Sequence, residues 1–226
     1  MDNKTTTPVK IWDIPIRVFH WLIVAAMAFL WWSGETGGFA MEWHMLVGVV
    51  VLALVLFRLV WGFIGSDTAR FSQFLKSPMA AIHHLLELPR RTTAYHAGHN
   101  ALGGWVVVVI LGLLLVQTIT GLFATDDILV DGPLRSLVSS STAETLTSVH
   151  RLVFNLLLLV ASVHIAAVLF YYFYKHTNLI KAMVLGSADW PADQSKPMLV
   201  FKSTALGLGV MVACYAVVRV VLMLLH

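Results

Sequence analysis

Charge is scarce in this chain. Asp, Glu, Lys and Arg make up only 12% of its 226 residues, about half of what a soluble domain carries. Hydrophobic residues reach 58% and mean hydropathy is +0.81. A surface with so few charges faces something other than water, and lipid is the candidate. Cysteine is scarcer still, with Cys214 alone. One thiol excludes an internal disulfide framework and a thiolate iron–sulfur or zinc cluster within one chain. No Cys-x-x-Cys-His occurs, so nothing points to covalent haem attachment. The chain also lacks an internal repeat and the Gly/Pro-broken paired spans of inverted-repeat transporters.

What is present is a set of five apolar stretches, at about Val18–Ser33, His44–Ile64, Ala101–Ala124, Val149–Tyr174 and Ser203–Leu225. Each approaches the ~20 residues a helix needs to cross ~30 Å of hydrocarbon. Helix closes every backbone hydrogen bond internally, so it is the expected state. The first stretch differs from a cleaved signal peptide: it ends in Trp31 and Trp32 rather than small residues, and holds His20 and Trp21. Between spans two and three, Ser77-Pro78 reads as an N-cap and first-turn proline. Residues Met79 to Leu88 then form a short amphipathic helix on the membrane surface. Gln194, Ser195 and Pro197 read as a linker to the last span.

The basic residues fix an expected orientation. With the N-terminus inside, the inner side receives Lys4, Lys10, Arg17, Arg58, Arg70, Lys76, Arg90, Arg91, Lys175, Lys181, Lys196 and Lys202. The outer side receives Arg135, Arg151 and Arg219, with the acids Asp126, Asp127, Asp131 and Glu144. That is the positive-inside pattern. Trp12 and Trp61 are expected at the inner interface, and Trp31, Trp32 and Trp43 at the outer one.

Four histidines fall in or at the ends of spans: His20, His44, His150 and His164. Ionisable groups at such depth are costly, so each marks a candidate site. A histidine hydrogen-bonded to a neighbouring helix is the plain alternative for any one alone. Their spacing favours a joint role. His150 and His164 lie 14 residues apart, just under four turns, on one helix face and roughly 21 Å apart along the axis. His44 begins the second span at the outer level, and His20 lies near the inner end of the first. His44 can therefore meet His150, and His20 can meet His164. Two stacked imidazole pairs are what two six-coordinate haems b require, and bundles take cofactor ligands from facing helices. With both axial positions filled, electron transfer is favoured over oxygen chemistry. Arg17, three residues before His20, Arg58, 14 after His44, and Arg151, beside His150, are candidate propionate partners. Interfacial snorkelling is the competing role for all three.

The ordered motifs resemble the bacterial cytochrome b561 family, which includes the b-type cytochrome subunits of nickel–iron hydrogenases. Arg17-Val18-Phe19-His20-Trp21, His44, Gly98-His99-Asn100-Ala101-Leu102-Gly103, Thr120-Gly121-Leu122-Phe123 and the pair His150 and His164 carry the resemblance over roughly residues 8–190. It implies an all-α membrane protein of the bacterial inner membrane. The core would be a four-helix transmembrane di-haem bundle over 1–190, with a linker and a fifth C-terminal transmembrane helix over 191–226. It implies axial ligation at His20, His44, His150 and His164. It also implies electron exchange between a membrane quinone, ubiquinone or menaquinone, and a periplasmic redox partner. The loop Asp126-Asp127-Ile128-Leu129-Val130-Asp131-Gly132-Pro133-Leu134 is similar to members working beside cytochromes c, and its acids could steer a basic cytochrome.

Rival readings remain at this point. They are superoxide oxidation coupled to quinone reduction, a membrane anchor for a hydrogenase-like reductase complex, and a haem-free transporter. The fifth span is either peripheral or an oligomer contact. His96 and His99, three apart, share a helix face if the third span begins early, near the inner haem or a quinone. A solvated helix start with Asn100 as N-cap is the alternative. His83 and His84 are expected in solvent, His176 and His226 at the interface. Gln117 and Thr118 hydrogen-bond within the bundle or near a haem.

Overall fold

The computed structural model describes residues 6–90, 96–126 and 130–225. Lys4, Arg91, Asp127, Ile128, Leu129 and His226 lie outside the described residues. The elements are β1 (Thr6–Lys10), α1 (Ile14–Thr36), α2 (Ala40–Ile64), α3 (Phe71–Phe74), α4 (Pro78–Glu87), α5 (Ala101–Gly121), α6 (Ser140–Phe173), α7 (Leu179–Leu185), β2 (Ser187–Pro191) and α8 (Thr204–Leu225). Among the described residues, five helices are long and apolar enough to cross a membrane: α1, α2, α5, α6 and α8. They stand where hydropathy put them, and their ends follow polar chemistry that hydropathy does not register. Helix α1 begins at Ile14 because Asp13 caps it, its Oδ1 accepting from Ile16 N–H at 2.8 Å. Helix α6 starts nine residues before the apolar run, where Ser139 Oγ accepts from Thr142 N–H at 3.2 Å. Short α4 fits its expectation closely. Ser77 Oγ accepts from Ala80 N–H at 3.2 Å, and Pro78 occupies the first turn. Its apolar side chains Met79, Ile82, Leu85 and Leu86 are exposed, as a helix lying on a bilayer requires.

The chain forms two compact units that interleave along the sequence. The first comprises 1–18, 60–108 and 162–207, the second 19–59, 109–161 and 208–226. Among the described residues, the first carries nine Lys and Arg against five acids, the second four against five.

In the first unit, β1 and β2 pair antiparallel, with Thr6 opposite Pro191 and Lys10 opposite Ser187. The sequence reading did not anticipate this sheet. Its strands are 5 residues each and lie 177 positions apart between Lys10 and Ser187, too short and too distant to stand out beside the apolar spans. Beyond it, Ile11 and Trp12 N–H both donate to Gly186 O, at 2.8 and 3.0 Å. Trp61, fully buried, donates Nε1–H to Asp13 Oδ2 at 3.0 Å. Trp12 is buried as well, so neither tryptophan is the interface anchor the sequence predicts. Both have polar partners or ring neighbours inside the unit, which outweigh a headgroup position. The linker is pinned rather than loose. Val200 N–H donates to Asp67 Oδ2 at 2.8 Å, and Lys202 N–H to Ser66 Oγ at 3.0 Å.

The second unit holds a core shared by four helices. Val51 and Val55 of α2, Leu114 of α5, and Val153 and Leu157 of α6 are buried together, with Ile23, Met27 and Leu30 of α1 packed against them. Val218 of α8 packs on Val49 and Ala53, a different face of α2. The fifth helix is thus peripheral to the four-helix core within this unit. Lipid tails are as apolar as leucine, so these contacts stabilise by dispersion and close packing more than by escape from water.

Candidate functional site

In the second unit, a tight turn brings the end of α1 beside the start of α2. Gly37 and Gly38 make it with φ of +62° and +54°, where a side chain would be strained. Ser33 and Gly34 of α1 therefore face His44 of α2. The imidazoles of His44 and His150 lie 6.4 Å apart between ring centres, at 68°. Both are half-buried.

Each ring is held through Nδ1. His150 Nδ1 lies 2.9 Å from Gln117 O, and a carbonyl only accepts, so Nδ1 carries the proton. His44 Nδ1 lies 3.0 Å from Ser33 Oγ. Ser33 donates its own proton to Leu30 O at 3.2 Å, so its lone pair accepts from His44 Nδ1–H. Both rings thus offer the Nε2 lone pair, the tautomer a metal-binding histidine adopts when its other nitrogen is anchored. Gln117 Nε2 lies 3.0 Å from His150 Nε2 and donates to it. Thr120 Oγ1 lies 3.3 Å from His150 Nδ1 while bonding Val116 O at 2.8 Å. Gly121 makes room for the ring. A Cβ there would meet His150 Cε1 at 2.9 Å, and one at Gly34 would meet His44 Cε1 at 3.4 Å.

The spacing fits a haem between the rings. A metal–imidazole bond is ~2 Å, and a ring centre lies roughly an ångström beyond its nitrogen, so two axial imidazoles have centres about 6 to 6.5 Å apart. The two tautomers and the two glycine faces fit as well. Among the described residues no group of three or more His, Cys, Asp or Glu gathers as a metal-ion site. An axial pair does not need one, because the macrocycle supplies the other donors.

The remaining candidates fall elsewhere. His20 is half-buried on α1 in the second unit, its ring 5.1 Å from Trp21. His164 is half-buried on α6 in the first. Helix α6 carries His150 in the second unit and His164 and Tyr171 in the first. Arg58 is buried in the second unit and Arg151 is exposed. Arg17 Nε donates to Met183 O at 3.4 Å and its Nη2 donates to Val184 O, neutralising the carbonyl end of α7. Arg135 binds Val138 O at 3.1 Å and Ser140 Oγ at 3.0 Å. Thr118 bonds back to Leu114 O at 2.8 Å within its own helix.

His96 and His99 do not share a helix face, because α5 starts only at Ala101. Asn100 ends the loop there, its Oδ1 accepting from Gly103 N–H at 2.7 Å. His99 sits between Trp12 and Phe74, 4.8 Å from each ring. His84 is not simply solvated: it is half-buried, and its Nε2 lies 2.8 Å from Tyr171 Oη. Burial lowers the His84 pKa and Lys175 adds to this, while Glu87 opposes it. His96, its ring 5.8 Å from that of His84, is lowered by desolvation and by His84. His83 is exposed, as expected.

Ser33, Gly34 and Thr120 were missed as site residues. Thr120 and Gly121 stand in the Thr-Gly-Leu-Phe motif, which signalled them without giving a role. Ser33 and Gly34 carried no signal beyond closing a span. Comparison with curated proteins and with solved structures gives no match. The family model described as prokaryotic cytochrome b561 matches residues 11–186, ending before α8. A haem b is the cofactor of that family. With that match over most of its length and five apolar helices, the chain is a multi-pass membrane protein of the prokaryotic cytochrome b561 family.

Proposed function

We propose that the protein is a di-haem cytochrome b of the bacterial inner membrane, carrying electrons between a membrane quinone and a periplasmic redox partner such as a cytochrome c. The observation that carries the reading is the His44–His150 pair, both rings held at Nδ1 and spaced for one iron. His20 and His164 would hold the second haem. The N-terminus is cytoplasmic and the C-terminus periplasmic, which the basic excess of the first unit supports.

When bound, each haem supplies reversible one-electron chemistry at its iron. The residues do the rest. Ser33 and the Gln117 carbonyl orient the rings and raise their basicity. Gln117, whose amide donates to His150 Nε2, would yield that nitrogen to the haem. Gly34 and Gly121 keep side chains away from the ring faces. Arg58, buried, compensates propionate charge. Arg151, exposed beside His150, is a second candidate, and Arg17 serves at the His20 end after helix capping. His96 and His99 stand near the quinone.

The test is a haem count on the purified protein with reduced-minus-oxidised spectra. Two non-covalent haems per chain, reduced by a hydroquinone, support the reading. A colourless protein, or haem that hydroquinone never reduces, would refute it.

A further inference from the structure

One hydrogen-bonded cluster in the first unit has no part in holding haem. Asn100 Oδ1 is committed to Gly103 N–H, at 2.7 Å, which fixes the flip of the amide. Its Nδ2–H therefore donates to Tyr171 Oη at 3.0 Å. With a lone pair so occupied, Tyr171 directs its own O–H at His84 Nε2, 2.8 Å away. His84 accepts there, so it is neutral with its proton on Nδ1. Its lowered pKa agrees with that state at neutral pH. The ring of His84 lies 5.8 Å from that of His96, which is exposed. A line of exchangeable protons thus runs from Tyr171, half-buried on α6, to water.

We propose that Tyr171 and His84, oriented by Asn100, are the proton relay for the quinone reaction, with His96 as its exit. This rests on the quinone-linked reading above. Each hydroquinone oxidised to quinone releases two electrons, which pass to the haem irons, and two protons, which must leave. Tyr171 Oη takes a proton from the hydroquinone hydroxyl as it passes its own to His84 Nε2. His84 Nδ1 then releases one toward His96 and water, and the ring returns to its Nδ1–H form before the second proton follows the same path. Run in reverse, the same atoms deliver two protons to a reduced quinone. The charged and titratable neighbours of His84 are Glu87 and His83 on α4, Tyr171 on α6, Lys175 just past the end of α6, and His96 with Arg90 in the adjoining loops. Glu87 favours the proton on His84 and Lys175 disfavours it, while His84 in turn disfavours a proton on His96.

The test uses the full-length haem-loaded protein and a short-chain hydroquinone. The rate of haem reduction is followed against pH for the parent protein, Tyr171→Phe and His84→Ala. The parent slows as pH falls and His84 takes up its own proton, because a protonated Nε2 cannot accept. Both variants lose at least tenfold in rate and lose that pH limb, with dithionite-reduced spectra unchanged. Added imidazole restores His84→Ala and not Tyr171→Phe. Should His84→Ala shed haem, His84→Gln, which can hold Tyr171 but carries no proton, takes its place. Independently of turnover, 15N NMR of ring-labelled histidine reports His84 with a bare Nε2 that shifts on Tyr171→Phe. Parent haem that hydroquinone fails to reduce overturns the functional reading and the relay together. A parent that is reduced, with variants matching its rate and pH profile, overturns the relay alone. So does a His84 whose proton sits on Nε2.

Discussion

Two groups of histidines can be compared within this chain. In the second unit, His44 and His150 face each other with Nδ1 tied to an acceptor and glycine against each ring. In the first unit, His84 has a phenol on Nε2, and His99 has Trp12 and Phe74 packed about its ring. The residue type is the same and the half-burial is similar. The chemistry differs because of what meets the Nε2 lone pair, an amide at His150 and a phenol at His84, and what lies across the ring face. A ring with anchored Nδ1 and an open face is prepared to bind a metal. A ring whose Nε2 accepts from a hydroxyl is prepared to move a proton.

The sharpest way to break this comparison is to exchange the two groups for alanine. His44→Ala or His150→Ala should remove one whole haem per chain, whereas His99→Ala should retain the full complement. Haem extraction against protein concentration checks both. A smaller effect is expected at Gly121→Ala. The added Cβ would stand 2.9 Å from His150 Cε1, so the ring must shift, with about 1–3 kcal/mol of overpacking strain. Thermal melting and a displaced reduction potential of one haem would report it. Ser33→Ala removes an anchor but leaves the ligand, and should weaken retention of that haem by roughly 10- to 100-fold, read by transfer to an apo acceptor protein.

The smallest effect sharpens the other side. Burial lowers the His84 pKa from its ordinary 6.5. A base with a depressed folded pKa binds fewer protons in the folded state than in the unfolded one. Its contribution is therefore fully present above pH 6.5 and is lost as pH falls below it. The hold of α4 on Tyr171 should loosen in mild acid, seen as faster amide exchange over Pro78–Glu87 and absent in His84→Gln.

How much of this was legible in the sequence depended on the range of the interaction. The five spans were readable because an apolar run of that length has one hydrogen-bonded solution in lipid. The Ser77-Pro78 start of α4 was readable because a cap is local. The true start of α6 at Ser140 was not, since its first turns are Ser, Thr and Glu outside the apolar run. The β1–β2 pairing joins distant stretches of the chain through strands of only 5 residues. Within the site, the ligand candidates were visible because histidine is costly in a span. Ser33 and Gly34 were invisible, since a serine and a glycine at a span end look like any turn. The same holds for Tyr171, whose part depends on an amide fixed 71 positions away.

The central claim is that His44 and His150 grip one iron. The direct measurement is the haem content of the double variant His44→Ala/His150→Ala beside the two singles. If the rings share a metal, either single loses the same haem and the double loses no more than either. A double variant that loses a second haem, or a single that keeps its full complement, would contradict the account.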